Sequence, residues 1–114
     1  MYKTKDSGER EQFKTGSQRD TRVGKGRYDL LPPRAIRRLA QLYERGAIKY
    51  DDRNWEKGQP LSRMMDSLIR HAFQVLEGED TEDHLAAVAW NALGIAEIQE
   101  RIKLGILPKE LDDL

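Results

Sequence analysis

Leu85-Ala86-Ala87-Val88-Ala89-Trp90-Asn91-Ala92-Leu93-Gly94-Ile95-Ala96-Glu97-Ile98 is the stretch on which the fold turns. Its apolar residues recur at spacings of three and four: Leu85, Val88, Ala89, Ala92, Leu93, Ile95, Ala96, Ile98 and then Ile102, a pattern that predicts a helix. Thr81 is placed to cap its start, Glu82 and Asp83 suit the positive end of its dipole, and Gly105 and Pro108 stop it near residue 103. Ala86, Ala87, Ala89, Ala92 and Ala96 allow neighbours to approach closely but supply little area to bury. Helices of this kind predict a bundle that a second copy completes.

Upstream, Pro60 and Ser62 mark the entry of another helix, with Leu61, Met64, Met65, Leu68, Ala72, Val75 and Leu76 as its apolar stripe and Gly78 as its stop. Further upstream, Pro32 and Pro33 restrict the chain to an extended entry and then let a helix start. Ile36, Leu39, Ala40, Tyr43, Ala47 and Ile48 give that helix an apolar side over about residues 33–49, while Arg34, Arg37, Arg38, Gln41 and Arg45 take the other. A short turn is possible around Lys109 to Leu114. No segment alternates long enough to predict a strand, so residues 27–114 read as one all-α domain, a short helical bundle completed by oligomerisation. Residues 1–26 carry Phe13 and Val23 as their substantial apolar side chains beyond the first two positions and read as a flexible polar arm.

Of the 114 residues, 38% are hydrophobic and 35% charged, the balance of a soluble domain with a thin core. The absence of cysteine excludes disulfides, thiolate metal sites and a cysteine nucleophile. No apolar run reaches the length of a membrane span and no signal-peptide pattern opens the chain, so a cytoplasmic protein is expected. The net charge is zero but polarised: residues 1–63 hold sixteen Lys or Arg against nine Asp or Glu, and residues 64–114 hold four against eleven. A basic half suits a polyanion and an acidic half suits divalent cations, although solvated faces also produce such asymmetry.

Between the first two helices runs Gly46-Ala47-Ile48-Lys49-Tyr50-Asp51-Asp52-Arg53-Asn54-Trp55-Glu56-Lys57-Gly58, richer in chemistry than a connector requires. Lys49, Arg53 and Lys57 can hold phosphate, Trp55 can stack on a ring, and Asn54 can donate to and accept from a base edge; alternatively Tyr50 and Trp55 pin the loop to the core. Polar residues also stand where apolar ones belong. Glu44 lies four residues from Ala40 and from Ile48 and is expected to face the core; His71 lies along the second apolar stripe; His84 and Asn91 share a line with Val88 and Ile95. With Asp66, Asp83 and Arg70 these compose a cation site and phosphate clamp, or else an i,i+4 pair, a dipole partner and satisfied core histidines. No serine sits on a strand-to-helix turn and Gly24-Lys25-Gly26 is no P-loop, which leaves metal-assisted hydrolysis as the available chemistry.

Arg27-Tyr28-Asp29-Leu30-Leu31-Pro32, Gly46-Ala47-Ile48-Lys49-Tyr50, Arg53-Asn54-Trp55-Glu56-Lys57-Gly58, Asp66 with Arg70-His71, and Glu82-Asp83-His84-Leu85 with Trp90-Asn91 together resemble the family named for the N-terminal domain of phage dATP/dGTP diphosphohydrolases, over about residues 24–100. That family looks like a branch of the all-α, MazG-like nucleotide pyrophosphohydrolases. The resemblance implies homodimers or homotetramers, Mg2+ or Mn2+ as cofactor, and hydrolysis of a purine (d)NTP to the monophosphate and pyrophosphate by a metal-activated water. It also implies that Glu44, Asp66, Asp83, His71 and His84 hold or orient the metals, with Glu44 positioned to orient the water. Lys49, Arg53 and Arg70 then contact phosphates, and Asn54, Trp55 and Asn91 shape the sugar and base pocket. The chain departs from the broader superfamily in lacking a clear Glu-x-x-Glu followed by Glu-x-x-Asp, with histidines near where further acids are expected. The alternatives are a catalytically silent helical module that binds nucleotides or another protein, and a nucleic-acid binder using the basic half; the arm's acids dilute its positive charge too far for a dedicated nucleic-acid tail.

Overall fold

The computed structural model describes residues 2–114. It divides into two units, the residues up to Leu31 and Pro32–Leu114. In the first, β1 (Arg10–Gln12) pairs antiparallel with β2 (Gln18–Asp20), Glu11 opposite Arg19. Strands of three residues are too short to show a period, so this hairpin is missing from the sequence reading. Asp20 gathers it, accepting from Ser7 and pairing with Lys25 at 2.9 Å. The Ser7 hydroxyl, then the Lys25 ammonium, hold the Asp20 carboxyl well below its usual range.

The second unit is all-α. Helix α1 (Pro33–Tyr50) starts on the Pro32-Pro33 pair and ends at Asp51. Helix α2 (Leu61–Leu76) and helix α3 (His84–Lys103) form the tightly packed part, and a single 3₁₀ turn follows at Lys109–Leu111. Thr81 does not cap α3 as expected: the Asp83 carboxylate does so, accepting from the Ala86 N–H at 3.1 Å, while Thr81 donates to Glu79. Pro60 has no side chain with which to cap α2. The cap comes from the far end of the chain, where Asp113 accepts from the Ser62 N–H at 2.8 Å and from its hydroxyl at 2.6 Å.

The core is small: Leu61 and Met64 of α2 meet Ile95 and Ile98 of α3, flanked by Met65, Trp90, Ile102, Leu107 and Leu111. Gly94 permits the crossing, since a side chain there would collide with the Met64 methyl. Helix α1 buries no residue and leans on α3 through the Tyr43 and Trp90 rings, 6.0 Å apart. That contact, with an Arg38 to Asp83 bridge, fixes the helix phase and turns Leu42, Tyr43 and Ala47 inward. Glu44 therefore does not face the core as expected; it is exposed, with Ala40 and Ile48 beside it. Helix α3 also shows apolar residues on its outer side, with Leu85 and Leu93 open to solvent, and α2 does the same with Ile69, Phe73 and Leu76.

Candidate functional site

A cleft of about 1320 Å³ opens between α1, the loop after it and the α2–α3 hairpin. One wall is cationic: Arg45, Lys49, Arg53, Arg63 and Arg70 line it. Among the described residues, Arg45, Lys49 and Arg63 have no carboxylate partner, so their charge is available to a ligand, whereas Arg53 is paired with Glu56 at 2.8 Å. The loop after α1, which carries Arg53, is bent sharply. Asp51 (φ 82°, ψ 159°) and Arg53 (φ 55°) both hold positive-φ backbone without being glycine, and at Gly58 (φ 85°) an added Cβ would lie 2.7 Å from the Leu111 side chain.

Trp55 lines the cleft, and the Arg101 guanidinium lies over its ring, 5.0 Å from the centroid. Arg101 is in turn held by Glu97 at 2.9 Å and approaches Glu56 at 3.7 Å. A cation over the indole anchors the loop to α3 and occupies part of the surface on which a base would stack. Tyr43, Trp90 and Met64 also line the cleft and supply further apolar surface.

The cleft is also lined by Asp80-Thr81-Glu82-Asp83 and His71, with Glu79 and His84 behind them. His84 is 2% exposed. Its Nδ1 lies 2.8 Å from Nδ1 of His71, its Nε2 contacts Glu79, and Glu82 stands 3.9 Å away. Arg70 reaches Nε2 of His71 at 3.4 Å, and a guanidinium can only donate. This orders the protons along the chain: Arg70 donates to His71 Nε2, His71 Nδ1–H to His84 Nδ1, and His84 Nε2–H to Glu79. Burial, then the neighbouring Arg70 charge, push the His71 pKa down, which keeps it neutral as this order requires. The hydrogen bond from Thr81, followed by that from His84, holds the Glu79 carboxyl at about 2. The Arg38 guanidinium, at 2.6 and 2.9 Å, holds Asp83 at about 2.

Glu79, Glu82 and His84 present ligand atoms within 4.8 Å of one another. Two carboxylates and an imidazole are a donor set that suits Mn2+ or Zn2+ better than Mg2+. The set fits a divalent cation, and because a proton now joins His84 to Glu79, cation binding there competes with protonation.

Of the residues singled out from the sequence, Lys49, Arg53, Asn54, Trp55, Arg70, His71, Asp83 and Asn91 line this one cleft. His84 is buried behind it, joined to His71. Glu44 and Asp66 are exposed and do not line it. Asp66 makes no ion pair with Arg70, whose side chain turns to Ser67, Gln74 and His71 instead. The sequence reading gives no site role to Glu79, Arg45 or Arg63, and names Glu82 as a dipole partner and as part of the family motif without a metal role. The signal was present in Glu79-Asp80-Thr81-Glu82-Asp83-His84, four acids and a histidine within six positions after a glycine.

The chain belongs to the family described as dATP/dGTP diphosphohydrolase, N-terminal, whose model matches residues 15–105. No match is found among curated proteins or among solved structures.

Proposed function

We propose that this chain is a metal-dependent pyrophosphohydrolase that cleaves purine deoxynucleoside triphosphates, dATP or dGTP, to the monophosphate and pyrophosphate. The observation that carries the reading is the meeting of two groups at one cleft: Arg45, Lys49 and Arg63, cations without carboxylate partners, and Glu82, which with Glu79 and His84 behind the lining forms a set of ligand atoms. A triphosphate with its divalent cation demands both, and the family description names the purine substrates.

Lys49, Arg63 and Arg45 bind and orient the phosphate chain, with Arg53 and Arg70 available once they exchange their present partners. Glu79, Glu82 and His84 would hold Mg2+ or Mn2+, which when bound neutralises phosphate charge and acidifies water. The His71 to His84 chain sets the tautomer of the inner ring and so the direction in which Glu79 is held. Tyr43, Trp90 and the free part of Trp55 cover the nucleoside.

We also infer that a homodimer or larger assembly forms. The α1 face with Ile36 and Ile48, and the outer sides of α2 and α3 with Phe73, Leu76 and Leu93, are apolar and open in a single chain. Glu44 lies on that α1 face, so any role it has in orienting water depends on what covers it. Light scattering checks this: an intact fold with a mass near 13.2 kDa at micromolar concentration rules the assembly out.

One observation favours the silent nucleotide-binding module instead. Asp83, His71 and His84 already have protein partners, and Glu44 and Asp66 lie outside the cleft. Pyrophosphate release from each purine triphosphate with Mg2+ or Mn2+ separates the readings. We expect release that Glu79→Gln and Glu82→Gln each reduce by at least about 100-fold with little change in melting temperature. Nucleotide binding without release in the unaltered chain would establish the silent module.

A further inference from the structure

Asn91 lies on α3 two turns beyond His84 and lines the floor of the cleft, only 5% exposed. Its Nδ2 donates to the Ala87 carbonyl at 2.9 Å. That bond fixes which way the amide faces, because turning it over would set oxygen against oxygen. Oδ1 is thus aimed away from the helix backbone and, among the described residues, has no donor. No buried side-chain oxygen of the described residues lacks a partner, so Oδ1 is open to the cleft, where a ligand donor can reach it. Ala87, Trp90 and Met64 line the same cleft and supply apolar surface. Seven residues separate Asn91 from His84, roughly 10 Å along the helix axis, which a nucleotide spans from its phosphates to its nucleoside.

Resting on the nucleotide reading above, we propose that Asn91 Oδ1 is a specificity-determining acceptor that takes a hydrogen bond from an N–H or O–H of the nucleoside. The geometry sets Oδ1 toward the ligand, since Nδ2 is turned to the Ala87 carbonyl and keeps only its second N–H. A ligand whose group at that point is itself an acceptor meets an unpaired oxygen and is rejected. The two sources of such a donor are the exocyclic amine of the purine and the sugar hydroxyl.

The test measures calorimetric affinity for α,β-methylene analogues, so that turnover does not intrude. Probes are dATP, dGTP, the corresponding nucleotides lacking their exocyclic amines, and the 2′,3′-dideoxy forms. The unaltered chain should bind one class of stripped analogue about 10- to 100-fold more weakly than its parent, the range expected when a hydrogen bond to a site acceptor is lost. Asn91→Leu, which keeps the volume, should bind parent and stripped analogue within about threefold of each other; Asn91→Ala serves if the leucine variant does not fold. The class that loses affinity identifies amine or hydroxyl as the donor. Equal affinity for all probes in the unaltered chain, or unchanged discrimination in a folded Asn91 variant, overturns the proposal. Parent binding with no pyrophosphate release from the natural triphosphates would defeat the proposed activity and leave this inference standing, whereas no binding of either parent defeats both.

Discussion

Along the α2–α3 hairpin Leu61, Met64, Ile95 and Ile98 are buried, Gly94 admits the close crossing, and both helices have side-chain caps; α1, eighteen residues long, buries nothing. Asn91 and, behind the lining, His84 thus stand on packed helix, and the acids on the short connection that joins the two helices. Of the cations, Arg45 and Lys49 stand on one helix leaning by an aromatic contact and a bridge and Arg53 on a loop pinned by Arg101, whereas Arg63 and Arg70 stand on α2. Groups that must discriminate gain from rigidity, and groups that must follow a flexible, highly charged phosphate chain gain from freedom to move.

The strongest way to break this contrast is to remove core volume from each side. Ile98→Ala should cost about 2–5 kcal/mol in chemical denaturation, and Leu39→Ala on α1 below about 1 kcal/mol. Equal losses would mean that α1 belongs to the same packed unit. A gentler probe is Arg38→Gln, which cuts the bridge to Asp83; its partners are partly solvated, so about 1 kcal/mol or less is at stake. Hydrogen exchange should then quicken in α1 and stay unchanged in α2 and α3.

The strained loop predicts a change of opposite sign. Asp51→Gly relieves backbone that glycine adopts freely and should stabilise the chain by about 1 kcal/mol, a gain of a few degrees in melting temperature. A drop would show that the Asp51 side chain holds something the fold needs. The smallest effect concerns acid. Hydrogen bonds from Ser62 lower the Asp113 pKa below its ordinary 3.8, so its stabilising contribution is complete above that value and is lost as pH falls through the lower, folded one. Asp113→Asn should remove this acid dependence, which a melting series between pH 5 and about 2 would detect.

The three helices were legible because their apolar spacing and their Pro and Gly boundaries are local signals, accurate here to a residue or two: 33–49 was expected and Pro33–Tyr50 is found. The cleft was legible in part, since Lys49, Trp55, His71 and Asn91 do converge. The error at Glu44 came from phase. Ile36, Ala40 and Ile48 make one face of α1 look like a core face, but the Tyr43 to Trp90 contact selects the other, and a one-chain pattern cannot tell a core from a face left open. The roles of Glu79 and of Asp113 as a cap rest on contacts 5 and 51 positions apart, which periodicity does not register.

The cap also bears on where the domain ends. The family match stops at residue 105, eight positions short of Asp113. A fragment trimmed to that boundary for expression or crystallisation would still hold every residue of both cleft walls. It would leave the first turn of α2 without its carboxylate and Gly58 without Leu107 and Leu111 against it, loosening the Trp55 loop from below. Loss of activity in such a fragment would then reflect a trimming artefact and not a missing catalytic group.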